Sequence, residues 1–249
     1  MKKLIYGNFK MNSTLLDIEK YTETFIPKVS LSKNEIAIFP PFTYLMFAKQ
    51  KLTSSKILLG AQNVSSESKG AFTGEVSAQM LKSVGVDIVL IGHSERRKLF
   101  LEKNEIINKK IKEALSLGLK VVLCVGETKS ERLNNRYTEV IQKEISEGLK
   151  GLYENELKNI IIAYEPIWSI GTGVVPEVKQ IEEVVKIIKT EISNEYSLNA
   201  SKNAKILYGG SVNAINAKSF ASIPGIGGLL VGGASLNPEE FAKICNIWF

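Results

Sequence analysis

One carboxylate, Glu165, follows the apolar run 159–164 and precedes a segment that contains Pro, Trp, Ser and two glycines. A carboxylate that ends a buried strand beneath a loop able to exclude water is expected to have a raised pKa and to serve as a general base. From this position alone, a salt-bridged acid in an ordinary turn is an equally good interpretation.

His93 is the only histidine of the chain and follows the apolar run 86–92. Imidazole can polarise a carbonyl group or transfer protons, although a lone histidine is more often structural. The two cysteines, Cys124 and Cys245, are far apart in sequence, and no carboxylates stand at ligand spacing. The sequence therefore predicts no metal site.

Lys10 lies two residues after Asn8, so in an extended segment both side chains share one face. An ammonium group and an amide donor on that face could stabilise an oxyanion. A solvated lysine near the N-terminus and a lysine that forms a Schiff base are the alternatives.

Two glycine pairs follow the last two apolar runs: Gly209 and Gly210, which precede Ser211, and Gly232 with Gly233. Glycine lets the backbone N–H groups approach an anion that a Cβ atom would block. A single such pair usually marks a turn, but two pairs after neighbouring strands indicate a phosphate site.

Short apolar runs rich in β-branched residues must position these side chains. Apolar residues at successive positions are typical of strands that are covered on both faces. The predicted strands are 4–9, 35–40, 56–61, 86–92, 120–126, 159–164, 204–209 and 228–233.

Helical periods separate the predicted strands. After Pro176, which suits a first helical position, apolar residues recur at the three-four spacing of one helix face. Asn104 is predicted to cap a helix that ends at Gly118, and Asn237 with Pro238 is predicted to begin the last helix.

Alternating strands and helices predict an α/β fold with a parallel sheet, and eight units in 249 residues match a closed (β/α)8 barrel that forms one domain, 1–249. An open doubly wound sheet is the alternative, but no G-x-G-x-x-G motif follows the first strand. In such a barrel the carboxyl ends of all strands form one rim, so the polar residues described above are expected to meet there.

Composition narrows the class of partner. The net charge is +6, but the lysines are interspersed with glutamates and form no basic stripe, which argues against nucleic-acid binding and fits a small anionic substrate. No apolar run is long enough for a signal peptide or a membrane span. We therefore expect a cytoplasmic protein with buried, reduced thiols.

With these residues placed, the chain resembles the triosephosphate isomerase family from end to end. The resemblance rests on six motifs in the family's order: GNFKMN (7–12), GHSERR (92–97), CVGE (124–127), AYEPIWSIGTG (163–173), YGGSV (208–212) and LVGGASL (230–236).

The resemblance implies a TIM barrel and cofactor-independent interconversion of dihydroxyacetone phosphate and glyceraldehyde 3-phosphate through an enediolate, in glycolysis and gluconeogenesis. Glu165 matches the base and His93 the neutral imidazole that polarises the carbonyl. Lys10 and Asn8 match groups that stabilise developing charge, and Glu95 matches the acid beside the lysine. The matching phosphate-binding positions are Gly171, Ser211, Gly232 and Gly233.

The family is typically homodimeric, and the loop 62–75 matches the loop that enters the active site of the neighbouring subunit. Thr73 is at the position expected to reach across into that site, which we call the crossing position. The resemblance also implies that the loop after Glu165, 166–175, is a lid that closes over the site. The chain departs from the family pattern at Ser169, where Ala is usual, and in the second hinge of this lid, 172–175, which is shorter and more β-branched than in the family. Phe9 and Gly227 also depart from the pattern and are expected to be structural.

Two other functions fit the same residues less well. A Schiff-base aldolase would use Lys10 as its nucleophile. A catalytically inactive barrel would bind phosphorylated ligands without turnover, although all four catalytic residue types are present.

Overall fold

The computed structural model describes residues 2–172 and 174–247. Gly173, which ends the AYEPIWSIGTG motif and belongs to the predicted second hinge, lies outside the described residues, as do Met1, Trp248 and Phe249.

All eight predicted strands are present and pair in parallel, each with the next, and β8 pairs with β1, so the barrel is closed. The prediction of a (β/α)8 barrel is confirmed, and the open doubly wound sheet is excluded. The strands are β1 Leu4–Asn8, β2 Glu35–Phe39, β3 Leu58–Ala61, β4 Ile88–Ile91, β5 Lys120–Val125, β6 Ile160–Tyr164, β7 Lys205–Tyr208 and β8 Gly228–Val231.

Helices surround the barrel. Those that the described residues form are α1 Leu15–Val29, α2 Leu45–Leu52, α3 Ala78–Ser83, α4 Ser94–Leu99, α5 Asn104–Ser116, α6 Lys129–Leu133, α7 Tyr137–Gly148, α8 Val178–Glu195, α9 Leu198–Asn203, α10 Ala217–Ala221 and α11 Pro238–Cys245. Short 3₁₀ helices cover Phe42–Tyr44, Glu154–Asn159 and Gly233–Leu236. Within the described ranges, none of the helices is long and apolar enough to cross a membrane.

Two of the predicted helix starts are wrong, whereas one predicted start and one predicted end are right. Asn104 is the first residue of α5 rather than its N-cap. Its side chain forms hydrogen bonds with the side chains of Arg97 and Glu147 instead of with the helix backbone. Pro176 lies before α8, whose N-cap is Glu177. Asn237 caps α11 as predicted, and Gly118 follows α5 with a φ of 70°.

Every strand contributes to two apolar layers, because successive side chains point to opposite faces. Tyr6 and Leu90 belong to the cluster inside the barrel, whereas Ile5 and Val89 belong to the larger cluster between the strands and the helices. The apolar runs of the sequence thus reflect burial on both faces.

Closure of the barrel depends on Gly228, which pairs with Leu4 where β8 meets β1. A Cβ atom on Gly228 would lie 1.9 Å from the Leu4 carbonyl oxygen, so no larger residue fits there without displacing a strand. The β1–β8 seam holds Asn8 and Gly232 at adjacent ends of the rim.

We predict that Ile88→Ala, which removes a fully buried side chain from the barrel interior, lowers the free energy of unfolding by about 2–5 kcal/mol. The matched control is Ile215→Ala, because Ile215 is 93% exposed and its truncation opens no cavity. Urea unfolding of both variants at one protein concentration measures the difference. Equal midpoints would contradict the assignment of Ile88 to the core.

Candidate active site

The predicted residues converge on one cavity of about 300 Å³ at the carboxyl ends of the strands. Side chains and backbone from β1, β4, β6, β7 and β8 form its walls. The predicted residues that line it are Asn8, Lys10, His93, Glu165, Gly171, Ser211, Gly232 and Gly233. Glu95 is held beside the cavity by its contact with Lys10.

Glu165 directly follows β6 and is only 2% exposed. Its backbone N–H donates to the carbonyl of Val125, which extends the β5–β6 pairing to the rim. One carboxylate oxygen, Oε1, lies 3.0 Å from Nε2 of His93, and Oε2 accepts the backbone N–H of Ser94 at 3.0 Å. The carboxylate is therefore buried but has a partner at each oxygen.

The expectation that the pKa of Glu165 is raised is wrong. Burial does raise it, but contact with His93, the Ser94 N–H and the charge of Lys10 together hold the pKa below its usual value. These groups stabilise the charged form more than desolvation destabilises it. If the carboxylate lost its contacts with His93 and Ser94 but stayed buried, its pKa would rise, because the stabilising hydrogen bonds would be gone and the desolvation would remain.

His93 links β4 to α4, for which it is the N-cap. Its Nδ1 accepts the backbone N–H of Glu95 at 3.2 Å, so the proton of the neutral ring is on Nε2, which faces Glu165. Burial lowers the pKa of His93, but the carboxylates of Glu165 and Glu95 raise it above its ordinary value. The helix thus fixes the tautomer, and Nε2 is the nitrogen that faces the cavity.

The backbone turns sharply after β1, so the prediction that Asn8 and Lys10 share a face of an extended segment is wrong. Lys10 has a φ of 52°, a conformation uncommon for a residue with a side chain. Oδ1 of Asn8 accepts the Lys10 N–H at 2.9 Å, and Nε2 of Gln62 donates to the Lys10 carbonyl at 2.8 Å. These bonds hold a strained turn that brings both side chains to the cavity.

Nζ of Lys10 lies 2.7 Å from Oε1 of Glu95, and the Lys10 side chain is 26% exposed. The ion pair directs the ammonium group along the rim, and the stem of Lys10 lies 3.7 Å from the point where a Cβ atom of Gly232 would be. An ion-paired ammonium is not the neutral amine that Schiff-base formation requires, so the contact opposes the aldolase alternative.

Glycine and serine residues form the wall opposite Glu165. Gly171 has a φ of 70°, and Gly233 begins a 3₁₀ helix with open space where its Cβ atom would be. The hydroxyl of Ser211 donates to the Ser169 carbonyl at 2.8 Å, which connects this wall to the lid segment. Backbone N–H groups on such a wall suit an anion.

Glu127 lies in the CVGE motif, 124–127, and supports the site, although the sequence analysis predicts no role for it. It is fully buried, and its Oε1 accepts bonds from Trp168 Nε1 at 2.8 Å and from the Tyr164 hydroxyl at 3.1 Å. Its carbonyl also accepts the N–H of Ile167. Glu127 therefore anchors the start of the lid, and an acid that follows a buried strand was the available signal.

Within 2–172 and 174–247, no group of three or more His, Cys, Asp or Glu side chains is arranged to hold a metal ion. Both cysteines are buried and free. A carboxylate, an imidazole, an ammonium group and an anion-binding wall on one small cavity can remove a proton next to a carbonyl and stabilise the resulting oxyanion.

Comparison with known proteins assigns the family. The model of the triosephosphate isomerase family matches residues 3–248. The chain is 47% identical to a triosephosphate isomerase of Aquifex aeolicus, over 98% of each chain. It is 46% identical to one of Dictyoglomus thermophilum, over 98% of each, and 44% identical to one of Caldanaerobacter subterraneus subsp. tengcongensis, over 98% of this chain and 99% of the relative. The chain therefore belongs to the triosephosphate isomerase family.

Proposed function

We propose that this cavity interconverts dihydroxyacetone phosphate and glyceraldehyde 3-phosphate, the reaction of the family, by proton transfer through an enediolate. The observation that carries the proposal is the 3.0 Å contact between Glu165 and the Nε2 of His93 in a cavity that Lys10 also lines. A base, a hydrogen-bond donor and a cation on one small cavity are the groups that the chemistry needs.

Glu165 acts as the base. It takes a proton from the carbon next to the substrate carbonyl, and the electron pair of the broken C–H bond forms the enediolate double bond. Glu165 then returns the proton to the neighbouring carbon. A second proton passes from the hydroxyl oxygen on the first carbon to the former carbonyl oxygen on the second, by way of Nε2 of His93, and this gives the isomer. Since both carboxylate oxygens have partners, Glu165 has to give up its contact with His93 or Ser94 before the proton is transferred.

His93 and Lys10 stabilise the negative charge that develops on oxygen. The Nε2–H of His93 is directed into the cavity because Nδ1 is occupied by the α4 backbone. Lys10 supplies a positive charge whose position is fixed by Glu95, and Asn8 holds the turn from which Lys10 extends. Groups fixed before reaction stabilise charge without a reorganisation cost.

The phosphate group is assigned to the wall of Gly171, Ser211, Gly232 and Gly233, where backbone N–H groups can donate to its oxygens. Gly171 belongs to the lid segment, so phosphate binding would pull the lid onto the site. A closed lid excludes water from the enediolate and limits loss of phosphate from it. In the second hinge, 172–175, Thr172 precedes the undescribed Gly173 and two exposed valines, Val174 and Val175, follow it. The effect of this hinge on closure stays a prediction.

We predict that Glu165→Asp and His93→Gln each lower kcat by about 10²–10⁴-fold, the usual contribution of a positioned acid or base. A coupled assay with glyceraldehyde 3-phosphate measures turnover, and circular dichroism confirms folding. Full activity in Glu165→Asp would refute the mechanism, and trapping of substrate on Lys10 by borohydride would favour the aldolase.

We predict that Gly233→Ala raises KM by about tenfold with little change in stability, because the added methyl meets no protein atom within 4 Å but occupies space next to the phosphate. Gly227→Ala is the matched control, since its methyl would make only ordinary contacts, the nearest at 3.5 Å, and lies at the opposite end of β8. An unchanged KM in Gly233→Ala would remove this wall from the phosphate site.

We also propose that the chain forms a homodimer through the loop 62–75. The loop's base is buried, whereas residues 68–75, including Thr73, are exposed. The exposed tip is ordered by bonds such as the Glu75 N–H to the Phe72 carbonyl, and Phe72 is 47% exposed. Met11, Met46 and Met80 are also more than half exposed, and apolar side chains such as these gain free energy when a partner buries them.

Light scattering is expected to give twice the monomer mass of 27.5 kDa, and Thr73→Arg is expected to reduce both the mass and kcat. A long, charged side chain at the crossing position would be desolvated without a partner. Thr53→Arg, at an exposed helix end, is the control for the added charge. A wild-type mass of one chain would contradict the dimer without affecting the proposed reaction.

We further propose that 1–249 forms one domain that acts in the cytoplasm, as the barrel's closure and the family suggest.

A further inference from the structure

We propose that Arg97 and Glu144 form a positioning pair behind the active site, and that the charge on Glu144 controls how well His93 and Glu165 are placed for proton transfer. This inference rests on the proposed function. Neither residue lines the catalytic cavity, so both would act through the backbone they hold.

Arg97 joins the end of β4, which precedes His93, to the end of β5, which pairs with β6 next to Glu165. Its Nε donates to the carbonyl of Gly92, the residue before His93, at 2.8 Å, and its Nη2 donates to the carbonyl of Cys124 at 3.2 Å. The remaining guanidinium nitrogen, Nη1, lies 3.2 Å from Oε1 of Glu144 and donates to Oδ1 of Asn104 at 2.6 Å. A planar guanidinium with several donors is suited to fixing such a set.

Glu144, on α7, holds the other side of the same junction. Its Oε2 accepts the backbone N–H of Gly126 at 2.8 Å. Gly126 packs so closely on Glu165 that a Cβ atom would lie 1.8 Å from the Glu165 carbonyl oxygen. A shift of residues 124–126 would therefore move the backbone of the base, and a shift of Gly92 would move His93.

Solvent can reach Glu144 through a polar cavity of about 280 Å³ on the outside of the barrel. Burial raises the pKa of Glu144 to about 7, and Arg97 and the Gly126 N–H oppose that rise. The charged groups that face it are Arg97 from α4, Glu131 from α6, Arg136, Glu139 and Lys143 at or near α7, and Glu165 at the end of β6.

The sign of the pH effect follows from this raised pKa. Between the ordinary carboxyl pKa of 4.5 and about 7 the folded state binds more protons than the unfolded state, so Glu144 makes the protein less stable as pH rises through that window. Over the same range its carboxylate forms and its ion pair with Arg97 strengthens. The positioning of His93 and Glu165 should therefore improve as pH rises through about 7, while the folded protein becomes less stable.

The test measures kcat and KM between about pH 5.5 and pH 9 for the wild type, Glu144→Gln and Glu139→Gln. Glu144→Gln keeps the size of the side chain and an oxygen that can accept the Gly126 N–H, but it removes the charge. We expect it to lose the rise in kcat near pH 7 and to be about tenfold slower than wild type at high pH, with KM nearly unchanged. Glu139→Gln removes an exposed carboxylate of the same cavity and is expected to follow the wild type.

Arg97→Lys tests the geometry, because an ammonium keeps the charge but cannot reach Gly92, Cys124 and Glu144 together. We expect kcat to fall by between about tenfold and 100-fold with little change in KM. If Glu144→Gln fails to fold, Glu144→Asp keeps the charge, and its kcat is expected to be lower but still to rise near pH 7. A merely structural role would lower stability without moving the pH profile.

Overlapping pH profiles of kcat for the wild type and Glu144→Gln would overturn the inference, as would an Arg97→Lys variant of wild-type activity. These results would leave the proposed function intact if Glu165→Asp and His93→Gln are inactive. Conversely, full activity in the Glu165 and His93 variants would refute the proposed function itself.

Discussion

Burial of the Glu165 carboxylate is the constraint on which the rest of the site depends. A carboxylate that is 2% exposed is costly unless its oxygens are bonded, and here the bonds come from His93 and Ser94 at the end of a different strand. A parallel barrel makes this possible, because it brings the carboxyl ends of β4 and β6 to the same rim. In the proposed reaction, Glu165 has to give up one of the partners that stabilise its charge before it can accept a proton.

Two further buried acids extend this arrangement outward from the cavity. Glu127 holds Trp168 and Tyr164 at the start of the lid, and Glu144 holds Gly126 behind the base. Each faces an arginine, Arg132 or Arg97, that is itself largely covered. Charge-assisted hydrogen bonds fix both the distance and the direction of the backbone and lid groups that they contact. Apolar packing alone does not fix directions in this way.

The sequence predicted the fold and most of the residues that line the cavity, because both follow from local patterns. Eight apolar runs with polar residues at their ends are sufficient for a barrel with one functional rim. What it could not predict depends on distant partners: the pKa of Glu165 is lowered rather than raised because His93, 72 positions earlier, faces it. The positive φ of Lys10 likewise depends on Gln62, and Asn104 bonds Arg97 and Glu147 rather than capping its own helix.

Buried charge at Glu127 and Glu144 opposes stability, because burial raises the pKa of both carboxyl groups. The role of these charges therefore lies outside the stability of the fold. A protonated or amide side chain at Glu144 would cost less to bury than a carboxylate, since burial is the largest influence on its pKa. An apolar replacement would leave the Gly126 N–H and the Arg97 guanidinium without their partner, and both hold backbone next to catalytic groups. Proton transfer depends steeply on distance, so a charge that destabilises the fold can still improve the reaction by fixing the strand ends.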